Sequence, residues 1–387
     1  MEWKNCKIED APIAIIDGDR GKNYPKQGDF LNIGHCLFLN ASNVTKKGFD
    51  FNNCQFISED KDEKLRKGKL FQHDIVMTTR GTLGNVAYYH EKIGYEHIRI
   101  NSGMVIFRCD RNKLLPNFFY LFICSPLFIN QVNSLRSGVA QPQLPIKDIK
   151  TIKIKIPPLP IQQKIADILS KYDDLIENNR RRIELLERSA RLLYKEWFVR
   201  LRFPGHEHTP IIDGIPEGWE RLKLGEVLTL QRGFDLPSAK RTHGQYPIFA
   251  STGINGYHEK AKVQAPGIVT GRSGSLGKVM YIAEDFWPLN TTLYVKDFIK
   301  VDAVFALHLL ENLHLEQYNS GAAVPTLNRN DIHKIKVLCP SCTLKSLFLA
   351  FANPIYTQIH FLDRYNQKLK QARDILLPKL MNGEIEV

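Results

Sequence analysis

Two glycine-rich loops carry the side chains of this sequence that are best suited to hold a polyanion. The first loop reads Thr78-Thr79-Arg80-Gly81-Thr82-Leu83-Gly84, and the second reads Thr270-Gly271-Arg272-Ser273-Gly274-Ser275-Leu276-Gly277-Lys278. A P-loop has four residues between its glycines and a Ser or Thr after its lysine. The second loop has five residues between its outer glycines and a valine after its lysine, and the first loop has Asn85 in place of the lysine. Both loops therefore depart from a nucleotide-hydrolysing motif.

Two interpretations of these loops remain open. Each loop could be a tight turn between two strands. Each could also be a turn whose backbone N–H groups, together with Arg80, Arg272 and Lys278, approach nucleic-acid phosphates or base edges. The second interpretation is favoured because both loops keep Thr, Arg and Gly in a segment that is otherwise free to vary.

Basic and amide side chains beside predicted turns are the remaining candidates for contact with nucleic acid. Arg and Lys suit guanine edges or phosphates, and Gln and Asn suit adenine edges. Any one of them could equally be an ordinary solvated surface residue. The candidate contacts are Lys46, Lys47, Thr78, Thr79, Arg80, Arg136, Gln141, Gln143, Lys240, Arg241, Arg272, Ser273, Lys278, Asn328 and Arg329.

Motifs that suggest catalysis or metal binding are incomplete. Asn353-Pro354-Ile355-Tyr356 is similar to the Asn-Pro-Pro-Tyr site of adenine methyltransferases, but it lies in a helical pattern, and no glycine-rich cofactor loop follows a strand. Cys339-Pro340-Ser341-Cys342 lacks a second cysteine pair or nearby histidines. His206-Glu207-His208 lies in a Pro/Gly-rich linker. We therefore expect no catalytic, metal or cofactor site in this chain.

Length, charge and cysteine usage limit the class of protein. At 387 residues the chain predicts at least two domains. The formal charge of +12 favours a polyanionic partner. The sequence has no run of about 18 apolar residues, so we expect no membrane span. The N-terminus lacks the apolar core of a signal peptide, and seven scattered cysteines predict reduced thiols. We expect a cytoplasmic, nucleic-acid-binding protein.

The sequence repeats itself. Gly138–Leu144 returns as Gly321–Leu327, displaced by 183 positions, and this displacement continues without a gap to Leu192-Leu193 and Ile375-Leu376. The distance from the opening tryptophan to this Gly-x-x-x-Pro-x-Leu loop is 135 positions in the first copy and 102 in the second. A duplicated unit with a divergent front and a constant back predicts a pseudo-twofold molecule and a ligand with two different halves.

Each front block predicts short strands, and each back block predicts one long helix. Apolar residues recur at three- and four-residue steps from Ile161 to Trp197, with Asn179 as a polar interruption, and the stripe recurs 183 residues later. Two helices of roughly 40 residues, each about 60 Å long, most simply bury these stripes against each other. The predicted division is 1–157, 158–202 (first helix), 203–218 (linker), 219–340 and 341–384 (second helix).

This double architecture resembles the DNA specificity (S) subunit of type I restriction–modification systems. The resemblance covers essentially the whole chain and includes the openings Trp3…Lys7-Ile8 and Pro216-Glu217-Gly218-Trp219…Leu224-Gly225. It implies an α+β fold in which two mixed, mostly β target recognition domains, residues 1–157 and 219–340, are separated by two long helices paired as an antiparallel coiled coil.

The resemblance also implies the function and the partners. Each recognition domain would read one half of an asymmetric, split sequence in double-stranded DNA, and helix length would set the spacer. The subunit itself would be non-catalytic and would dock adenine methyltransferase subunits, typically two, and through them ATP-dependent restriction subunits. S-adenosylmethionine, ATP and magnesium would be bound only by those partners.

Two other functions compete with this one. A methyltransferase or nuclease fused to its own specificity domains predicts a cofactor loop and a catalytic motif. A non-catalytic nucleic-acid-binding scaffold of another defence system would share the architecture.

Overall fold

The chain divides into two compact units in a computed structural model that describes residues 3–46, 48–135, 143–321 and 324–387. The first unit comprises Met1–Glu177 with Gln367–Val387, and the second comprises Asn178–Asn366. This grouping differs from the division in chain order, because parts of both long helices pack into each unit.

The first unit is built from short strands and helices that precede the first long helix. Its strands are β1 (Lys4–Lys7), β2 (Ile13–Asp17), β3 (Cys36–Leu39), β4 (Val44–Thr45), β5 (Gly48–Phe49), β6 (Phe56–Ile57), β7 (Ile75–Thr78), β8 (Val86–Tyr88), β9 (Ile98–Ile100), β10 (Met104–Cys109) and β11 (Lys153–Ile156). Its helices are α1 (Glu59–Lys64), α2 (Pro116–Cys124), α3 (Pro126–Leu135), α4 (Ile146–Lys150) and the start of α5 (Leu159–Tyr194).

The second unit repeats this arrangement. Its strands are β12 (Ile211–Ile212), β13 (Ile215–Pro216), β14 (Glu220–Lys223), β15 (Leu228–Arg232), β16 (Tyr246–Ala250), β17 (Gly253–His258), β18 (Gly267–Gly271), β19 (Val279–Ile282), β20 (Trp287–Pro288), β21 (Thr292–Phe298) and β22 (Lys336–Cys339). Its helices are α6 (Leu224–Val227), α7 (Ala303–Asn312), α8 (Arg329–His333) and most of α9 (Cys342–Asn382). A π-helical turn, Lys195–Val199, ends the first long helical segment.

The two units have the same sheet topology. An antiparallel sheet has the order β2-β10-β7-β8 in the first unit and β15-β21-β18-β19 in the second. A three-stranded sheet has one antiparallel and one parallel pairing in each unit, with the orders β6-β3-β9 and β17-β16-β20. The repeat therefore extends through the front blocks, where the sequence shows it only at the openings and the glycine loops.

Each four-stranded sheet lies between two hydrophobic cores because successive side chains of a strand point to opposite faces. In the first unit, Ile75 and Phe107 face α2, whereas Val76 and Ile106 face Leu37 of the three-stranded sheet. In the second unit, the same alternation places β18 and β21 between α7 and the aromatic core of Phe249 and Phe286. The sheet thus fixes the position of the loops at its ends.

The long helices pair antiparallel within each unit. In the second unit, Asn179 of α5 donates from Nδ2 to Oδ1 of Asn366 in α9 at 2.9 Å, and both side chains are buried. Further along α5, the ring of Tyr194 meets Phe348, an earlier residue of α9. In the first unit, Arg373 of α9 pairs with Asp173 of α5 at 2.5 Å. The polar interruption of the first stripe is therefore paired inside the seam.

A hydrogen-bonded network fixes α7 to both helices in the second unit. The Tyr356 hydroxyl lies 3.1 Å from Nε2 of buried His308, and Nδ1 of His308 lies 3.1 Å from Glu311. Arg191 of α5 also contacts Glu311, at 3.5 Å. Burial alone would raise the pKa of Glu311, but the hydrogen bond and charge of His308, with Arg191, hold it below its usual value.

No single helix among the described residues has the length and apolar character needed to cross a membrane. One bent pair, Pro116–Cys124 with Pro126–Leu135, meets the length and composition criteria. Its aromatic side chains, including Phe118 and Phe128, are buried in the core of the first unit.

The Asn179–Asn366 pair gives a test of the seam. We expect Asn179→Leu to lower the free energy of unfolding by about 1–3 kcal/mol, because Asn366 loses a hydrogen-bond partner in a buried position. We expect the double variant Asn179→Leu/Asn366→Leu to recover most of this loss, because both polar groups are gone. Urea denaturation measures both values, with Asn112→Leu at an exposed turn as control. Equal losses for the single and double variants would contradict this role.

Candidate DNA interface

In each unit the glycine loop is paired with the end of the Gly-x-x-x-Pro-x-Leu loop. In the first unit, Arg80 forms a β-bridge with Gln143, and the Leu144 amide donates to the Thr79 carbonyl at 3.1 Å. In the second unit, Ser273 forms the same bridge with Thr326, and the Leu327 amide donates to the Arg272 carbonyl at 2.8 Å. The glycine loop and the last residues of the Gly-x-x-x-Pro-x-Leu motif are therefore joined by main-chain hydrogen bonds in each unit.

This pairing shows that Arg80 and Arg272 are not equivalent. The bridge places Arg80 opposite Gln143 and Ser273 opposite Thr326, so Arg80 corresponds to Ser273 and Arg272 corresponds to Thr79. Arg80 is exposed, whereas Arg272 is half-buried and donates from Nη1 to the Asn290 carbonyl at 3.4 Å. The sequence aligns the two arginines, but the backbone register separates them by one residue.

In the first unit, the β4–β5 hairpin lies against the glycine loop. Asn85 donates from Nδ2 to the Val44 carbonyl at 2.9 Å, and the Thr82 hydroxyl donates to the Ala41 carbonyl at 3.4 Å. Lys46, in the turn of this hairpin, is exposed. Lys46, Arg80 and Gln143 are thus exposed residues of three segments that contact one another, namely the hairpin, the glycine loop and its bridge partner.

Thr78 and Thr79 have a different environment from the other candidate contacts. Both residues are buried. The Thr78 hydroxyl donates to the Thr82 carbonyl, and the Thr79 hydroxyl donates to the Gly103 carbonyl at 3.0 Å. These two threonines shape the loop from inside.

A close backbone approach fixes the loop that follows the first strand of each four-stranded sheet, β2 in the first unit and β15 in the second. A Cβ added to Gly18 would lie 2.3 Å from the Asn101 carbonyl oxygen, and one added to Gly233 would lie 2.2 Å from that of Leu289. In the first unit the neighbouring Asp19 accepts from the backbone N–H groups of Gly21 and Arg66. Burial alone would raise the pKa of Asp19, but the hydrogen bonds from these donors outweigh burial and hold the pKa below its usual value. Asp19 is thus an ionised anchor.

In the second unit, the β16–β17 turn takes the place of the β4–β5 hairpin. Lys278 donates from Nζ to the Thr252 carbonyl at 3.1 Å, and the Gly274 amide donates to the Pro325 carbonyl at 3.0 Å. Arg241 donates from Nη1 to both Oδ1 and the carbonyl of Asn255, each at 2.8 Å. Exposed Lys240 lies in the neighbouring 3₁₀ turn. Lys278 therefore joins the glycine loop to the β16–β17 turn, and Arg241 holds Asn255 in the strand that follows this turn.

The remaining candidates lie at the start of α8 or outside the described residues. Asn328 caps α8 by accepting from the Asn330 amide at 3.0 Å, and Arg329 is exposed in the first turn. Lys47, Arg136 and Gln141 lie outside the described residues.

Several residues of these loops were missed by sequence reasoning. Gly18 and Gly233 occur at nearly the same distance from the opening tryptophans, which is a signal the sequence did offer. Asn255 precedes a glycine, a pair typical of turns, yet it lies inside strand β17. Asp235 and Asn290, joined by a short hydrogen bond from Nδ2, are far apart in sequence and carry no signal.

The incomplete motifs have structural roles in the described part of the chain. Tyr356 of Asn353–Tyr356 lies in α9 and bonds His308. Cys339 is buried and Cys342 is exposed, and no group of three or more His, Cys, Asp and Glu side chains among the described residues could hold a metal ion.

The family model of the type I restriction modification DNA specificity domain matches this chain twice, at residues 2–188 and 216–346. The chain therefore belongs to the family of type I restriction–modification DNA specificity proteins. The resemblance carried by the duplicated motifs is confirmed.

Curated relatives agree with this family, and one solved structure has a similar fold. The type I restriction enzyme MjaIX specificity subunit of Methanocaldococcus jannaschii is 25% identical over an alignment of 346 residues, which covers 81% of this chain and 78% of the relative. The HindI specificity subunit of Haemophilus influenzae is 22% identical over 99% of this chain and 100% of its own. The fold is similar to the type I S subunit from M. genitalium, with TM-score 0.58, 18% identity and coverage of 98% of this chain and 96% of that one. The predicted α+β class with paired long helices is confirmed.

Gly233 gives a test of how the loops are held. We expect Gly233→Ala to lower the free energy of unfolding by about 1–3 kcal/mol, because its Cβ would overlap the Leu289 carbonyl oxygen. Gly94→Ala is the matched control, since its Cβ would meet no atom of the described residues within 4 Å and its φ is ordinary. Chemical denaturation compares the two variants. Equal stability of both would argue against the close approach.

Proposed function

We propose that this chain is the DNA-binding specificity subunit of a type I restriction–modification complex, in which each unit reads one half of a split, asymmetric target. The observation that carries the proposal is that both units assemble the same pairing around the glycine loop, yet place different side chains on it. Two loops with the same backbone pairing and different side chains are suited to two half-sites of different sequence.

The charges of the loops support contact with DNA. The excess of basic residues supplies attraction to phosphates that does not depend on sequence. Lys46, Arg80 and Gln143 would serve the first half-site. The proposed contacts of the second half-site are Lys240, Arg241, Arg272, Ser273, Lys278, Asn328 and Arg329.

We assign the chemistry to partner subunits. The chain would be non-catalytic and cytoplasmic, and would act with adenine methyltransferase subunits, two per chain, and with ATP-dependent restriction subunits. S-adenosylmethionine, ATP and magnesium would be bound by those partners. This assignment follows the family, whose named relatives are specificity subunits of restriction enzymes.

An exposed apolar face on the helices is suited to hold a methyltransferase subunit. On α9, the exposed side chains Leu347, Phe351, Phe361 and Tyr365 are spaced so that they share one face at 3.6 residues per turn. Exposed aromatic side chains of this kind often dominate protein–protein binding. We propose this face as the docking surface.

The central experiment is co-purification of the chain with a methyltransferase subunit, followed by methylome sequencing of the host. We expect a stable complex and one split, asymmetric motif with methylated adenine in it. Absence of a split motif would refute the proposed function.

A domain exchange tests the assignment of half-sites. We expect replacement of residues 216–330 by the corresponding segment of another specificity subunit to change only one half of the methylated motif, because the first unit keeps its own loops. Methylome sequencing reads both halves at once, so the unchanged half is an internal control. A change in both halves would contradict the assignment of one unit to one half-site.

Substitution of the apolar face tests methyltransferase docking. We expect Phe361→Ser/Tyr365→Ser to weaken binding of the methyltransferase subunit by at least about tenfold, because two exposed aromatic anchors are lost. Ile33→Ser, at an 88% exposed apolar residue of the first unit, is the control and should bind normally. Titration calorimetry gives both affinities, and normal binding by the double variant would exclude this surface.

A further inference from the structure

A groove with both apolar and polar walls lies beside the glycine loop of the second unit. Its volume is about 380 Å³, and its walls include Asp235, Arg241, Asn255, Asn290 and Thr291. The buried Thr291 hydroxyl has no hydrogen-bond partner among the described residues. One hydroxyl in the wall of the groove is therefore left unsatisfied by the described part of the protein.

Arg241 determines which way the Asn255 amide faces. A guanidinium has donors only, so the amide atom that it contacts must be the oxygen. Nη1 of Arg241 indeed reaches Oδ1 and the backbone carbonyl of Asn255, each at 2.8 Å. The Nδ2 group of exposed Asn255 remains as a donor without a protein partner in the described part of the chain.

Asp235 determines the opposite orientation for Asn290. A carboxylate is an acceptor only, so the amide atom that it contacts must be Nδ2. The Oδ1 atom of Asn290 is then left as an acceptor for a ligand. Arg272 holds the backbone of the same residue through the Asn290 carbonyl. One wall of the groove thus presents a donor, and another presents an acceptor.

A donor and an acceptor together match one base edge better than the others. In the major groove, adenine presents the N7 acceptor beside the N6 donor, whereas guanine presents two acceptors and cytosine presents a donor. Asn255 Nδ2 would donate to N7, and Asn290 Oδ1 would accept from N6. Guanine would place its O6 acceptor against Asn290 Oδ1, which is repulsive.

We propose that Asn255 and Asn290 read the adenine of an A·T pair in the half-site of the second unit, and that Arg241 and Asp235 are positioning residues. This inference rests on the proposed function. Arg241, named above among the proposed contacts of the second half-site, would then act there by orienting the Asn255 amide and not by contacting phosphate.

The test uses the full chain in complex with its methyltransferase subunits. Asn255→Asp keeps the oxygen that Arg241 holds but replaces the donor with an acceptor. We expect the methylome motif to lose its adenine preference at one position of the second half-site, with the first half unchanged. Binding to the original duplex should weaken by about tenfold to hundredfold. Asn290→Ala should relax the same position.

Arg241→Lys separates positioning from phosphate binding. We expect it to relax that same base position, because a lysine cannot hold both oxygens of Asn255 in one geometry. Loss of a phosphate contact would instead weaken binding to all sequences equally, and that result would overturn the positioning role.

Asn112→Asp, at an exposed turn of the first unit, makes the same chemical change and should leave both half-sites unchanged. An unaltered second half-site in both Asn255→Asp and Asn290→Ala would overturn the base-reading proposal while leaving the proposed function intact. A wild-type complex without a split motif would instead refute the proposed function.

Discussion

The backbone pairing between the glycine loop and the segment after Gly-x-x-x-Pro joins the variable front of each unit to its constant back. It consists of main-chain hydrogen bonds, Leu144 to Thr79 in one unit and Leu327 to Arg272 in the other. Because these bonds do not depend on side chains, the residues on the loop can differ without moving the loop. The neighbouring turns are in contact with the glycine loop that this pairing holds, through Asn85 and Val44 in the first unit and through Lys278 and Thr252 in the second.

The helix seam applies a comparable constraint on the other side of the second unit. Apolar side chains alone would allow the two stripes to pair in more than one register. A buried hydrogen bond between Asn179 and Asn366 penalises the alternatives, because a shifted register would break it. The His308–Glu311 network then fixes α7, and with it the four-stranded sheet that packs against α7, to that seam.

The sequence predicts the frame of this fold far better than its contact surface. The structure keeps the 183-residue displacement of the back block, because α8 and β22 begin and end 183 positions after α4 and β11. The long helices can be predicted from the sequence because their apolar residues recur at the helical period over about ten turns. Strand pairing in the front blocks cannot be predicted from the sequence, because the close approaches at Gly18 and Gly233 involve carbonyl groups of residues distant in sequence.

The candidate site divides in the same way. Arg80 and Lys278 lie where their motif suggests, on loops exposed to solvent. Thr78 and Thr79 belong to the same motif, but the four-stranded sheet continues under them and buries them. The orientation of the Asn255 and Asn290 amides depends on Arg241 and Asp235, a relation between loops that no local pattern encodes.

Most of the difference in length between the two front blocks lies in one segment. Equivalent residues Gly18 and Gly233 are 215 positions apart, whereas Arg80 and Ser273 are 193 apart, so 22 extra residues of the first unit lie between two fixed points. They include the β4–β5 hairpin and α1. Since surface insertions cost little when their ends are already held together, this segment can lengthen or shorten without disturbing the sheet. The segment that carries the hairpin and α1 can therefore change in evolution while the sheet that holds its ends stays the same.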